Sequence, residues 1–135
     1  MSKASNTGKR DDRRSIGVYG EAQAVDYLLR QGYEILGRNW RCRSGELDII
    51  AKFDGTIVIV EVRTRRASGR FGTAAESVDY RKQHRVRSIA EVFLSVNKLH
   101  GCPVRFDVIA ITLAQTGMLP ASYEVVELRH IASAF

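Results

Sequence analysis

Residues 45–66 read GELDIIAKFDGTIVIVEVRTRR, two runs rich in isoleucine and valine that flank the pair Asp54-Gly55. Runs of this kind favour β-strands, and an Asp-Gly pair between two of them is typical of a tight turn. The segment is therefore predicted to form a β-hairpin, with one strand at residues 47–52 and the next at residues 56–63. The rest of the fold is expected to assemble on this hairpin.

Carboxylates lie on both predicted strands. Side chains alternate between the faces of a strand, so Glu46 and Asp48 share a face of the first strand, and Glu61 and Arg63 share a face of the second. Because the second strand is apolar on both faces until it reaches Glu61, it is predicted to be central and covered on both sides. Buried carboxylates need a proton, a base or a metal, and oxygen ligands suit Mg²⁺ or Mn²⁺.

The composition is that of one domain with a sizeable core. The chain has 135 residues, 44% of them hydrophobic, and no apolar run as long as a membrane-spanning helix. Residues 1–14 are polar, without periodicity and without the apolar stretch of a signal peptide. They are predicted to be a flexible tail before a single domain at residues 15–135, in a cytoplasmic protein without membrane association. Neither Cys42 and Cys102 nor the three histidines have the spacing of a disulfide framework or a zinc site.

The net charge of +6 is concentrated after the first hairpin strand. Residues 62–87 carry eight basic residues and two acidic ones, whereas the remainder of the chain has thirteen of each. A basic field beside carboxylates suits a phosphodiester site, because cations hold the polyanion and carboxylates hold a metal. The alternative is an ordinary solvated surface. The basic residues are Arg63, Arg65, Arg66, Arg70, Arg81, Lys82, Arg85 and Arg87.

A helix is predicted to precede the hairpin. Ser15 is a suitable N-cap, Gly32 suits the position just beyond the C-terminal end, and apolar residues recur between them at helical spacing. Glu21 lies beside this apolar stripe and is predicted to point toward the sheet as a functional acid. The alternative is that it lies at the margin of the stripe and reaches solvent. The stripe comprises Val18, Ala22, Val25, Leu28 and Leu29.

A short strand and then a loop at residues 37–44 are predicted between this helix and the hairpin. The loop places Arg38, Arg41 and Arg43 around Trp40. Basic residues interleaved with an aromatic residue suit backbone contacts and base stacking, which makes Arg41 and Arg43 candidate nucleic-acid contacts. Trp40 equally suits the closing of the core, and the sequence leaves these two roles open.

After the hairpin, residues 64–73 are predicted to be a basic loop able to close over a bound strand, and residues 76–97 a second helix. Cations crowd the N-terminal half of that helix, where they oppose the helix dipole, so phosphate binding explains them better than helix stability does. A strand at residues 104–112 and an edge element at residues 122–128 complete the predicted order.

Several motifs along the chain have a distinctive order and spacing. They are Glu21, Gly45-Glu46-Leu47-Asp48, Glu61-Val62-Arg63, Phe71-Gly72, Lys82 and Arg105-Phe106-Asp107-Val108. Over residues 16–111 this pattern resembles the YraN-like family of small, functionally uncharacterised bacterial proteins. That family is in turn similar to the PD-(D/E)XK nuclease superfamily and its Holliday junction resolvases. The resemblance implies an α/β restriction-endonuclease-like core, with a central mixed β-sheet flanked by helices in αβββαβ order.

The same resemblance implies a Mg²⁺- or Mn²⁺-dependent endodeoxyribonuclease that acts on branched or otherwise non-duplex DNA. By position, Asp48 matches the first metal-binding Asp, Glu61 the second acid and Glu21 the helical acid, so these three are the implied metal ligands. Glu46 is expected to assist them. Since resolvases work as dimers, a homodimer is a further expectation. The candidate nucleic-acid contacts are Arg41, Arg43, Arg65, Arg66, Arg70, Arg81, Lys82 and Arg85.

Arg63 occupies the place of the superfamily's catalytic lysine and departs from the pattern. Arginine stays protonated near neutral pH, so Arg63 is expected to hold the scissile phosphate rather than act as a base. Lys52 and Lys82 are candidates to replace the missing amine, and Lys82 is preferred because its helix should pack near the hairpin. The alternatives to an active nuclease are a nucleic-acid-binding module of the same fold without turnover, and a protein-interaction scaffold.

Overall fold

The computed structural model of the chain describes residues 3–67, 78–118 and 120–135. These residues form two helices and five strands. Within them, no helix is long and apolar enough to cross a membrane. In chain order the elements are α1 (Lys3–Arg30), β1 (Glu34–Cys42), β2 (Gly45–Phe53), β3 (Thr56–Arg66), α2 (Tyr80–Val96), β4 (Val104–Met118) and β5 (Ala121–Ile131).

The five strands form one mixed sheet in the order β1-β2-β3-β4-β5. β3 and β4 are parallel, with α2 between them in the chain, whereas the other neighbouring pairs are antiparallel. This confirms the predicted α/β class and the predicted αβββαβ order, to which β5 adds the expected edge strand. An open mixed sheet flanked by two helices is compatible with a restriction-endonuclease-like core.

The hairpin of β2 and β3 forms as predicted. Asp54 and Gly55 have φ angles of 49° and 78°, so both central residues of the turn have the positive φ that a type I′ turn requires. Glycine adopts such angles without steric cost, and aspartate is one of the few other residues that tolerate them. The turn therefore fixes which residues of β2 and β3 face each other.

The ladder between β2 and β3 ends where Ile49 pairs with Val60. Beyond this pair β2 continues to pair with β1, and β3 continues to pair with β4. The sheet therefore opens between its second and third strands. Asp48 and Glu61 are the first residues past the last pair, and we call this opening, with the two acids at its base, the sheet fork.

Two apolar layers cover the sheet, one on each face. On one face α1 packs against Val58 and Val60 of β3, and on the other α2 packs against Ile57 and Ile59. All four side chains are fully buried, so β3 is a central strand covered on both sides, as its sequence predicted. Burying a side chain of this size contributes about 1.5–3 kcal/mol. The apolar half of β3 thus anchors the acid that follows it, Glu61.

The first helix is longer than predicted. It begins at Lys3, inside the segment predicted to be a tail, so the predicted start at Ser15 was wrong. The polar composition of that segment hides any apolar periodicity, although lysine and arginine themselves favour helix. As a result Arg13 and Arg14 are helical, and Arg14 lies seven residues, or about two turns, before Glu21.

The buried face of α1 also differs from the predicted stripe. Gly20, Ala24 and Leu28 are buried at every fourth residue, whereas Val18, a member of the predicted stripe, is 62% exposed. A Cβ atom at Gly20 would overlap the side chain of Thr64 on β3. The helix therefore approaches the sheet through a glycine, a contact that a search for large apolar side chains overlooks.

β1 runs through the segment predicted to be a loop and ends at Cys42, with a register shift between Ile35 and Gly37. As an edge strand it is largely exposed, so it lacks the apolar alternation that marks a strand in a sequence. Trp40 packs edge-to-face on Phe93 of α2, with ring centroids 5.4 Å apart. This contact supports the core role of Trp40 over base stacking.

The segment after the hairpin differs in part from the predicted basic loop. Residues 64–66 belong to β3, which ends at Arg66. Arg70 and most of the predicted loop lie outside the described residues, so the closing loop stays a prediction. α2 then begins at Tyr80, where the side chain of Asp79 caps the helix by accepting a hydrogen bond from the Lys82 N–H.

Candidate active site

Asp48 is held by the strand opposite it at the base of the sheet fork. Its Oδ2 atom accepts a hydrogen bond of 2.9 Å from the backbone N–H of Val62 on β3. Because the β2–β3 ladder has already ended, this carboxylate takes the place of a backbone acceptor. Asp48 is thereby fixed to the strand that carries Glu61.

Glu61 is 2% exposed and carries one open carboxylate oxygen. Its Oε1 atom lies 3.4 Å from Nζ of Lys82 on α2. Its Oε2 atom is buried and has no hydrogen-bond partner among the residues that the structure describes. Leaving a buried polar atom unsatisfied costs about 1–3 kcal/mol, so such atoms are rare in native proteins. Glu61 Oε2 is therefore an acceptor available to a cation or a donor.

The pKa values of the three acids at and near the fork are all raised. Burial and the charge of Asp48 raise the pKa of Glu61 to about 7, against the opposing effects of Lys82 and of a hydrogen bond from the Asp48 backbone N–H. Burial raises the pKa of Asp48, although the Val62 N–H and Lys82 oppose the rise. Burial and the charge of Asp48 likewise raise the pKa of Glu21. Full ionisation of Glu61 at neutral pH therefore needs more positive charge nearby than Lys82 provides.

A cleft of about 350 Å³ lies between the fork and α2, and we call it the α2-side cleft. Five charged residues line it, namely Glu46, Asp48, Glu61, Lys82 and Arg85. The Oε2 atom of Glu46 accepts a hydrogen bond of 2.7 Å from Nε of Arg41. Predicted acids from β2 and β3 and predicted cations from α2 therefore meet in one cleft.

A larger cleft of about 620 Å³ lies on the α1 side of the fork, and we call it the α1-side cleft. Glu21 lines this cleft, where its Oε1 atom accepts a hydrogen bond of 2.6 Å from Nδ2 of Asn39 and lies 3.6 Å from Nε of Arg38. Asn39 has a positive φ of 50°, a conformation that asparagine tolerates. Asp48 lines both clefts, so the two meet at this residue.

The donor set at the fork fits a hard divalent cation bound by few protein ligands. Asp48 and Glu61 offer carboxylate oxygens, and Glu61 Oε2 has an open acceptor position. Within the described ranges, no group of three or more His, Cys, Asp and Glu residues lies close enough to enclose a metal. Mg²⁺ commonly uses one or two carboxylates and completes its shell with water and substrate phosphates. The predicted third ligand, Glu21, lies across Asp48 in the other cleft.

The two candidate lysines are separated by the fold. Lys82 lies against Glu61, whereas Lys52 is exposed beside the turn end of β2 and lines neither cleft. Arg63 is half-buried on β3, two residues beyond Glu61. Burial raises the pKa of Asp48 overall, and the charge of Arg63 opposes this rise. Lys82 is therefore the amine positioned at the acids.

The predicted nucleic-acid contacts divide between the two sides of the sheet. Arg65 and Arg66 line the α1-side cleft, whereas Lys82 and Arg85 line the α2-side cleft. Arg41 does not line the α2-side cleft but forms an ion pair with Glu46, which does. Two others, Arg43 and Arg81, are exposed and line neither cleft, and Arg70 lies outside the described residues.

Three cationic residues of the α1-side cleft were not among the predicted contacts. Arg13 and Arg14 fell in the predicted tail, and Arg38 was noted beside Trp40 but not selected. A signal for one of them was present in the sequence, because a continued helix would place Arg14 two turns before Glu21, on the same side. The position of Arg38 depends on the extension of β1, which the sequence did not reveal.

Comparisons with known proteins agree on one family. The model of the uncharacterised protein family UPF0102 matches residues 20–111. A UPF0102 protein of Caldicellulosiruptor saccharolyticus is 42% identical over 92% of this chain and 99% of its own length. One of Trichlorobacter lovleyi is 46% identical over 90% of this chain and 91% of its own. One of Nocardia farcinica is 41% identical over 84% and 88%.

Proposed function

This chain belongs to the UPF0102, or YraN-like, family of uncharacterised bacterial proteins, and from the chemistry of its own site we propose that it is a metal-dependent nuclease. Its reaction would be hydrolysis of DNA phosphodiester bonds with Mg²⁺ or Mn²⁺. The observation that carries the proposal is the acid pair at the sheet fork: Glu61 is buried, has one open oxygen, and sits with Asp48 beside Lys82.

The electrostatics of the fork support this proposal. A buried acid with a pKa near 7 is poorly placed as a structural element, because it stays partly ionised at neutral pH without full hydrogen bonding. A divalent cation would favour the ionised forms of Asp48 and Glu61 and would occupy the open oxygen. We include in the proposal that the family shares the PD-(D/E)XK arrangement of acids on a mixed sheet.

Each residue of the site has a distinct role in the proposed reaction. Asp48 and Glu61 would hold the metal, which supplies Lewis-acid polarisation of the phosphate and an activated water when bound. Lys82 positions Glu61 and favours its ionised form through their ion pair. Arg63 stays protonated, so it stabilises negative charge on the phosphate oxygens rather than accepting a proton. Glu21 and Glu46 shape the local charge from either side of Asp48.

The second candidate function is a DNA-binding module that lacks turnover. It is favoured by Arg63, which stands where the superfamily pattern has a lysine. Phosphate contacts alone would then supply affinity, with a steep dependence on salt. In either case the proposed partner is DNA and the proposed location cytoplasmic, and the expected homodimer stays a prediction.

Cleavage assays on labelled four-way-junction, forked, single-stranded and duplex DNA test the proposal. With Mg²⁺ or Mn²⁺ the native protein should cut at least one of these substrates, and EDTA should abolish cutting. Asp48→Asn should lower the rate by at least about a hundredfold, since it removes a proposed metal ligand. The matched control is Asp26→Asn, an exposed acid of α1 outside both clefts, which should cut at the native rate.

Two results would decide against the nuclease. If the native protein binds these substrates but cuts none of them with either metal, the binding module is the better description. If Asp48→Asn cuts as fast as the native protein, the sheet fork is not the site of hydrolysis. Cutting by Arg63→Lys alone would locate the loss of turnover at that position.

A further inference from the structure

The lining of the α1-side cleft is predominantly cationic. Five arginines line it against two acids, Glu21 and Asp48. Arg13 and Arg14 are exposed. Arginines clustered around a concave surface attract phosphate, because guanidinium groups match its oxygens in charge and geometry. The arginines are Arg13, Arg14, Arg38, Arg65 and Arg66.

The lining of this cleft suits the backbone of a nucleic acid rather than its bases. Among the residues described around it there is no aromatic side chain on which a base could stack. Its apolar part is supplied by aliphatic residues such as Ile16 and Val62. Contacts would therefore go to phosphate and sugar, which position a strand without reading its sequence.

The size of the cleft limits what can enter. A volume of about 620 Å³ is in the range of small-molecule sites, which enclose ligands of drug-like size. A short piece of unpaired strand fits such a space, whereas a double helix is too broad to enter it and can only lie across its opening. The cleft therefore selects for single-stranded nucleic acid.

Asp48 connects this cleft to the acids. Because Asp48 lines both clefts, a backbone lying at the sheet fork continues directly into the arginine-lined side. We propose that the α1-side cleft binds the phosphates of an unpaired DNA strand next to the bond that is cut. The substrate is then DNA with a single-stranded arm at the cleavage point, a statement that rests on the proposed nuclease function.

Fluorescence anisotropy in EDTA tests the cleft without cleavage. The probes are a short labelled oligothymidylate and a blunt duplex of similar length. The double substitution Arg13→Glu and Arg14→Glu should weaken binding of the oligothymidylate by at least about tenfold and lower its salt slope by about 1.4, the value for two lost phosphate contacts to a single strand. Binding of the duplex should change by less than about threefold.

The matched control is Arg30→Glu with Lys52→Glu, which makes the same change in net charge at two exposed residues outside both clefts. It should leave affinity for the oligothymidylate within about twofold of native. The milder pair Arg13→Ala and Arg14→Ala, checked by circular dichroism, repeats the test without charge reversal. Equal losses in the control pair, or no loss in either cleft pair, would overturn the proposal.

The binding and cleavage experiments distinguish failure of the proposed strand binding in the cleft from failure of the proposed nuclease activity. A protein that binds the single strand through Arg13 and Arg14 yet cuts nothing overturns hydrolysis and keeps the cleft. A protein that cuts, but binds the single strand equally well after either cleft substitution, overturns the cleft and keeps hydrolysis.

Discussion

Two buried acids of this fold, Asp107 on β4 and Glu61 on β3, are equally removed from solvent and differ in almost everything else. Asp107 is completely buried, and both of its oxygens are satisfied. Oδ1 accepts from Nε of Arg105 at 2.9 Å and from the Ser133 N–H at 3.0 Å, and Oδ2 lies 2.9 Å from Arg105 and 2.7 Å from Nε2 of His130. Glu61 has Lys82 at one oxygen and an open position at the other.

The two pKa shifts show what this difference means. Burial alone would raise the pKa of Asp107, but hydrogen bonds from His130, Arg105 and the Ser133 N–H outweigh it and lower the pKa. At Glu61, burial and the charge of Asp48 prevail and raise the pKa to about 7. An acid that the fold has fully satisfied is part of the structure, whereas one left partly unsatisfied is available for binding.

The satisfied acid also ties distant elements together. His130 of β5 bridges Asp107 to the hydroxyl of Tyr27 on α1, at 3.1 Å from its Nδ1 atom. Arg105 additionally donates to the hydroxyl of Tyr33 at 2.8 Å. The Asp107 network therefore joins β4, β5 and α1, and we expect it to contribute to stability and not to DNA hydrolysis.

The largest expected effect is that of Asp107→Asn on stability. The substitution removes the counter-ion of the partly exposed Arg105 and puts an amide N–H₂ group among the donors that surround the buried Asp107 side chain, so the free energy of unfolding should fall by about 3 kcal/mol. Urea denaturation followed by circular dichroism measures it, with Asp26→Asn as the surface control, expected within about 0.5 kcal/mol of native. An Asp107→Asn protein as stable as the control would contradict the structural role assigned to Asp107.

The next effect is a dependence of stability on pH that Glu61 imposes on the metal-free protein. Between pH 4.5 and about 7, Glu61 is protonated in the folded chain and ionised in the unfolded one, so the folded state binds more protons. Stability should therefore fall as the pH rises through this window, by up to about 1.4 kcal/mol per pH unit. Asp107 acts in the opposite sense at lower pH, because its lowered pKa contributes stability that is lost on acidification.

Denaturation midpoints of native protein and Glu61→Gln, measured in EDTA across this window, test the sign. Glu61→Gln should flatten the slope, since it cannot ionise, and saturating Mg²⁺ should flatten the slope of the native protein by favouring the ionised pair. A native slope that survives in Glu61→Gln would show that another group titrates there.

The smallest expected effect is that of His130→Gln. Asp107 keeps its three hydrogen bonds from Arg105 and Ser133 when the imidazole is lost, so the free energy of unfolding should fall by only about 1–2 kcal/mol. Cleavage of DNA should be unchanged, because the network is separate from both clefts. A loss as large as that of Asp107→Asn would mean that the network has no redundancy.

The sequence predicted the parts of this molecule that local pattern encodes. Alternation of apolar residues placed β2 and β3, the Asp54-Gly55 pair placed the turn, and the break in apolar character at Glu61 placed the acid at the edge of the core. The expected packing of α2 near the hairpin places Lys82, and not Lys52, beside Glu61. These features follow from residues that are near one another in the chain.

The features that the sequence missed depend on distant parts of the chain. The sheet fork depends on where two strands stop pairing, which their own side-chain pattern does not state. The contact of Gly20 with β3 gave no apolar signal, so the buried face of α1 was misplaced. Asp107 was noted within a motif, but the sequence did not reveal that His130 of β5 would bind it.

The sheet fork also has a mechanical consequence. The two halves of the sheet, β1 with β2 and β3 with β4 and β5, are joined by the short ladder that runs from the fork to the Asp54-Gly55 turn. Neighbouring strands in a sheet are twisted relative to each other, so a change of twist along that ladder changes the separation of β2 and β3 at its open end. The separation of Asp48 and Glu61 thus depends on the twist of this ladder as well as on the hydrogen bond from the Val62 N–H to Asp48, so residues at a remote turn contribute to the geometry of the two acids.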